Sequence, residues 1–170
     1  MSYIVVDVES DGQTPFDSSM VCFGAVLVKD TTQTFYARTA PIHSTFNTEA
    51  LAISGFSRKE HEGFMDPSTV MQDFYLWIEE VSDGKPILIT DNPAYDFAWI
   101  NYYFHRYCGK NPFGWSARRI GDLYCGMKMD SRASWKYLRE TKHTHNPVDD
   151  AMGNAEVLHK MKEMGLKIKF

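Results

Sequence analysis

Cysteine is scarce in this sequence and follows no paired spacing: Cys22, Cys108 and Cys125 are the only three in 170 residues. Three widely separated thiols exclude a disulfide framework and the clustered ligand patterns of structural zinc sites, and they fit a reducing interior. Long apolar runs are missing as well. None approaches the roughly 18 residues that a membrane helix requires, so no membrane is expected as a partner. The stretch from Met1 to Ser10 lacks the basic-then-apolar order of a secretion signal, and the expected location is cytoplasmic. Repeats, low-complexity tracts and linkers are absent, so a single domain over residues 1–170 is expected. Positive charge is in deficit too, with 18 Lys and Arg against 22 Asp and Glu and a net charge of −4. Taken alone, that balance argues against a general nucleic-acid binder.

The hydrophobic share of 44% and charged share of 24% are ordinary for a globular protein. The cations, however, are unevenly spread. Between Asn101 and His145 lie nine of the 18 Lys and Arg against three acids, Asp122, Asp130 and Glu140, a local excess of about +6. Such a segment is either a solvated basic face or a track for a polyanion.

The apolar pattern resolves into alternating elements. Tyr3 to Ser10 reads as a strand buried on both faces, with β-branched residues at Ile4, Val5, Val6 and Val8. Met20–Val28 and Thr34–Ala40 read as two further strands, joined by a hairpin turn at Lys29–Thr32. Thr48–Ile53 reads as a short helix stopped by Ser54-Gly55. Asp66 and Pro67 open a helix with Val70, Phe74, Trp77, Ile78 and Val81 at helical spacing. Pro86–Thr90 is a compact strand, and Asn92–Cys108 a helix with Phe97, Ile100 and Phe104 on one stripe. Arg118–Asp122 reads as a last short strand before helices over Leu123–Met127, Ser134–Glu140 and Pro147–Met164. The aromatic run Trp99, Tyr102, Tyr103 and Phe104 reads as packing rather than a stacking platform. Three antiparallel strands followed by helix, strand, helix, strand, helix predict an α/β domain with a mixed central sheet.

Chemistry gathers at three places. Asp7 and Glu9 are two apart on the first strand and therefore share a face, close enough to hold one divalent cation. Asp96 falls near the start of a helix, four residues past Asn92, where an acid also suits the helix dipole. In His143-Thr144-His145-Asn146-Pro147-Val148-Asp149-Asp150, Asn146 is an N-cap and Pro147 the first helical residue, which leaves His145 on the loop. Asp149 and Asp150 point about 100° apart in the first turn. We assign Asp149 to the helix start and Asp150 to the site shared with His145.

The ordered set Asp7-x-Glu9, Asn92-x-x-x-Asp96, and His145 with Asp150 five later resembles the DEDD superfamily of 3′-to-5′ exonucleases, in its His-containing DEDDh branch. Ribonuclease T, oligoribonuclease and the proofreading exonuclease subunit are familiar members. Asn47-Thr48-Glu49-Ala50 to Ser54-Gly55-Phe56, and Asp150-Ala151 to Ala155-Glu156-Val157-Leu158, extend the resemblance over nearly the whole chain. It implies a ribonuclease-H-like fold. Ser10 and Gln13 stand where the family often has Thr and a wedge Leu, and Asp91 and Tyr95 where His and Phe are frequent. Ser54 replaces a common His, and Pro147 a common Ala. These departures bear on how the terminal base is gripped and leave the four acids and His145 in place.

The resemblance further implies hydrolysis of single-stranded RNA or DNA from a free 3′ end to nucleoside 5′-monophosphates. Two Mg²⁺ or Mn²⁺ ions per site would balance the −4 of Asp7, Glu9, Asp96 and Asp150, an all-oxygen set suited to hard cations. On that pattern Asp7 bridges both ions, Glu9 and Asp150 hold the one carrying the attacking water, and Asp96 supports the other. His145 is then the general base, with His143 and His61 weaker candidates. Ser10 and Asn92 are the candidates for contact with the terminal nucleotide, the basic segment for the trailing backbone. The pattern admits a homodimer. Two alternatives carry different chemistry: an iron enzyme using His143, His145 and a carboxylate, and a catalytically idle nucleic-acid-binding module.

Overall fold

The computed structural model describes residues 1–170. Five strands form one sheet in the order β3-β2-β1-β4-β5. They are β1 (Ser2–Ser10), β2 (Met20–Leu27), β3 (Thr34–Arg38), β4 (Pro86–Thr90) and β5 (Arg118–Arg119). β2 pairs antiparallel with both β1 and β3, whereas β4 joins parallel to β1 and β5 parallel to β4. The mixed α/β sheet expected from the sequence is therefore present, with β1 at its centre. The β2–β3 turn closes as read, Leu27 N donating to Gln33 O at 3.0 Å and Asp30 Oδ1 accepting from Thr32 N at 3.1 Å.

Helices cover both faces: α1 (Thr48–Ile53), α2 (Arg58–Glu62), α3 (Pro67–Val81), α4 (Asp96–Cys108), α5 (Ile120–Lys128) and α6 (Pro147–Glu163). The period of two along β1 divides its side chains between two cores. Ile4, Val6 and Val8 pack with Phe74 and Ile78 of α3 and with Trp99, Ile100 and Phe104 of α4. Tyr3 and Val5 face the other way, onto Tyr124 of α5 and onto Ala151, Ala155 and Leu158 of α6. Asp7 and Glu9 continue that second row, so the same strand that fills the core delivers both acids beneath α6.

Beyond shifts of one or two residues at strand and helix ends, several elements differ from the sequence reading. α4 begins at Asp96 rather than Asn92. The intervening residues form a turn in which Asn92 O accepts from the amides of Tyr95 and Asp96, both at 2.9 Å. The buried stripe of α4 is Trp99, Ile100, Tyr103 and Phe104, with Phe97 only half-buried. The last strand is two residues long and its helix starts at once, at Ile120 instead of Leu123. Ser134–Glu140 contains only a 3-10 turn over Lys136–Leu138. α2 was not foreseen, although Ser57 and Glu60 form a full capping box at its start.

One glycine decides how near α6 comes to the acids. Gly24 on β2 pairs with Asp7 on β1. A Cβ there would sit 2.5 Å from the backbone of Pro147 and Val148, so only the bare backbone lets the first turn of α6 rest on the sheet.

Candidate active site

One carboxylate oxygen from each of Asp7, Glu9 and Asp150 lies within 4.8 Å of the other two. β1 supplies the first two from one face, and α6, seated over Gly24, supplies the third. Asp96, at the first position of α4, is only 4% exposed and approaches from the far side of β1. Its carboxylate accepts from Thr90 Oγ1 on β4 and from Val8 N at 3.2 Å. Asp96 is not in that three-carboxylate group, yet its charge acts on Asp7 directly.

Burial and mutual repulsion both act against charge in the site. Burial, then the charges of Asp96, Asp150 and Glu9, push the Asp7 carboxyl well above its ordinary value. Burial likewise pushes Asp96 up to about 7, against the hydrogen bonds from Thr90, Val8 and Asn92. Glu9 is raised by burial despite His145 beside it. Asp150 alone is well compensated. It accepts from Arg139 Nη2 at 2.9 Å, His145 N at 3.0 Å and Thr144 N at 3.2 Å, and His143 Nδ1 lies 2.8 Å away. Oxygen donors crowded at low dielectric, with Asp7 and Asp96 in no ion pair of their own, fit a site built around divalent cations.

His145 adopts a left-handed backbone conformation with φ of 61°, uncommon for a residue with a side chain. Asp150 Oδ2 holds its amide, and Asn146 caps α6 immediately after it. The imidazole is half-exposed at the rim, its Nδ1 3.4 Å from Glu9 Oε1. His143 stacks edge-on against it at 4.4 Å. His143, His145 and Asp150 thus also form a compact group, the set the iron-enzyme alternative requires, but Asp150 is common to both groups. His61 is remote in role: it is fully buried, with Nε2 3.2 Å from Met20 O. Asp149 stays outside the cluster and accepts from Thr144 Oγ1 at 3.1 Å.

Ser10 is buried, its hydroxyl 2.5 Å from both Gly12 O and Tyr95 OH. It therefore fixes the loop leaving β1 against the start of α4. Asn92 is exposed on the turn before Asp96 and lines a cavity beside the site.

Two residues that shape the site escaped the sequence reading. Arg139 reaches Asp150 from the loop before the histidines, and Gly153 makes room for it, since a Cβ there would lie 2.6 Å from its guanidinium. A glycine inside a helix costs about 1 kcal/mol relative to Ala, and that cost was the available signal. Glu156, one turn further along α6, accepts from Glu140 N, Thr141 N and Thr141 Oγ1 at 2.6–3.0 Å and pins the same loop.

Acids on the central strand, at the start of the helix after β4 and in the first turn of the last helix, with a histidine on the loop before it, define a DEDDh exonuclease of ribonuclease-H-like fold. The family model for the 3′-5′ exoribonuclease Rv2179c-like domain matches residues 2–162, and the chain belongs to that family. It is 33% identical over 180 residues to the 3′-5′ DNA exonuclease Cap18 of Escherichia coli, across 98% of this chain and 95% of that protein. Among solved structures it is similar to the nuclease domain of 3′hExo, a DEDDh family member bound to rAMP, with TM-score 0.80, 17% identity, and coverage of 99% of this chain and 94% of that one. The zinc-bound E. coli ExoI–ssDNA complex is similar at TM-score 0.74 and 14% identity, over 98% of this chain and 41% of that one. At such identities the solved structures establish the fold. The family and Cap18 establish the activity as that of a 3′-to-5′ exonuclease.

Proposed function

We propose that residues 1–170 act as one exonuclease domain that removes nucleoside 5′-monophosphates from the free 3′ end of single-stranded nucleic acid. The observation that carries this reading is the convergence of Asp7, Glu9 and Asp150 within 4.8 Å, beside a rim histidine 3.4 Å from Glu9. Two Mg²⁺ or Mn²⁺ ions held by Asp7, Glu9, Asp150 and Asp96 would supply positive charge for the phosphoryl oxygens and lower the pKa of an attacking water. Asp7, on which the charges of Asp96, Asp150 and Glu9 all act, would be the ligand common to the set. Thr90 and Val8 N fix the Asp96 carboxylate, and Arg139 with His143 fixes that of Asp150.

His145 takes the proton of the attacking water as its oxygen bonds to phosphorus and the bond from phosphorus to the 3′-oxygen breaks; the leaving oxygen is reprotonated from solvent. The half-exposed imidazole on its left-handed loop residue, close to Glu9, supports this role. Ser10 has its hydroxyl committed within the fold and shapes the loop beside the site, whereas Asn92 faces the adjoining cavity and is the one of the two open to substrate. The matching family is one of exoribonucleases and Cap18 is a DNA exonuclease, so RNA and DNA are both candidate substrates.

Labelled RNA and DNA oligomers incubated with Mg²⁺, Mn²⁺ or chelator test this reading. Cleavage should need the metal, stop when the 3′ end is blocked, and continue when the 5′ end is blocked. Fragments released from a circular substrate, or metal-independent cleavage, would contradict it.

A further inference from the structure

The cavity that contains Asp7 is bounded on one side by Asp91 and Lys136. The same two residues wall a neighbouring cavity of about 510 Å³, and their ion pair, 3.2 Å from Lys136 Nζ to Asp91 Oδ2, separates the two. Beyond that partition stand Arg119, Arg132, Ser131 and Ser134. Arg119 is braced by Nε on Asp91 O and by Nη1 on Asp122 Oδ1, both 3.1 Å, and Asp122 is 73% exposed, where solvent screens its charge. Arg132 is bonded only through its backbone amide, to Asp130 Oδ1 at 2.9 Å. Three cations thus share a polar cavity with one acid, next to a site that accepts a polyanion.

We propose that this second cavity binds the sugar-phosphate backbone of the substrate strand on the 5′ side of the scissile phosphate, and so favours substrates longer than a dinucleotide. The inference rests on the proposed exonuclease site. The terminal nucleotide contributes only the scissile phosphate, so a separate phosphate-binding cavity serves the residues preceding it. Guanidinium forks suit phosphate oxygens, and Ser131 and Ser134 add neutral donors. The aromatic side chain in the lining, Trp135, is 4% exposed and offers no open face for a base. Binding here is therefore to backbone, without sequence preference.

The same phosphate chemistry is carried by the released nucleoside monophosphate, and the test separates the two. Steady-state cleavage of a dinucleotide and a hexanucleotide is compared in wild type, Arg132→Ser and Lys29→Ser. Lys29 makes the same charge change on the hairpin following Leu27, which pairs with Ile4 near the opposite end of β1. Arg132→Ser should raise KM for the hexanucleotide about tenfold with kcat retained, a loss on the order of one charged hydrogen bond. KM for the dinucleotide and inhibition by AMP should not change, and Lys29→Ser should match wild type throughout. Equal losses on both lengths, weakened AMP inhibition, or no loss at all would overturn the proposal. Should wild type cleave neither oligomer, the catalytic assignment fails separately, and binding of a 5′-labelled hexanucleotide in Ca²⁺ still reads the cavity. Weaker binding by Arg132→Ser then supports it, and unchanged binding removes it.

Discussion

Asp7 has burial and three neighbouring carboxylates all acting against its charge. A carboxyl raised in the fold keeps a proton that the unfolded chain has released. Its stabilising contribution is complete below the unfolded value of about 3.9 and is lost as pH rises through the folded value. For Asp96 that folded value is about 7. The metal-free protein should therefore lose stability through Asp96 as pH rises from about 4 to about 8, with Asp7 and Glu9 acting in the same direction, and Mn²⁺ should restore it. His61, lowered first by burial, acts in the opposite sense, costing stability as pH falls below the ordinary imidazole range. Asp7→Asn isolates the site's share. It should abolish cleavage, raise the Tm of the metal-free protein at pH 8 and raise it less at pH 5. Thermal melts in chelator at both pH values check this; a variant that unfolds in chelator would make Asp7 a structural residue.

At the scale of elements, the site depends on how closely α6 lies on β2. Gly24→Ala places a methyl 2.5 Å from the Pro147 and Val148 backbone, with no flexible side chain to yield. Overpacking of this kind costs about 1–3 kcal/mol, and here it also lifts Asp150 and His145 away from β1. A fall in Tm accompanied by at least about a tenfold drop in kcat is expected, whereas loss of stability with full turnover would mean that α6 can shift without disturbing the site. This element scale is also where legibility in the sequence ends. Asp7 and Glu9 were readable because strand periodicity is local, and His145 with Asp150 because Asn146-Pro147 marks a helix start within two residues. Arg139 was not, because its contact with Asp150 crosses an irregular loop that no periodicity describes. β5 shrank to two residues because its length is set by pairing with Ile89 and Thr90 of β4, a property of the partner strand. The helix expected from Asn92 begins at Asp96, because a turn closed by Asn92 O on the amides of Tyr95 and Asp96 comes first, and an Asn-Pro pair alone does not separate that turn from a first helical turn.

Across the whole molecule, a net charge of −4 coexists with a basic rim beside the acidic centre. Several cations of that segment already have partners within the fold. Arg118 donates to Tyr3 OH at 2.5 Å, Arg139 is committed to Asp150, and Arg106 lies on Tyr102. Arg119, Arg132, Lys136 and Lys142 remain to line the two adjoining cavities. With about three or four phosphates neutralised, log affinity for single strands should fall with log salt at a slope of roughly −2 to −3. Anisotropy titrations between 50 and 300 mM salt, on the order of the range where such slopes are linear, measure it; a slope near zero would return the basic segment to ordinary surface.

The central claim is that the carboxylate cluster acts through His145, and single-turnover cleavage of a 3′-hydroxyl oligonucleotide as a function of pH tests it most directly. Wild type should show a rate that rises with pH through a limb absent from His145→Ala, and the variant should be slower by about 10²-fold or more with oligonucleotide binding unchanged. Full turnover in His145→Ala with loss in His143→Ala would contradict the account and move the proton acceptor to the other histidine of the loop.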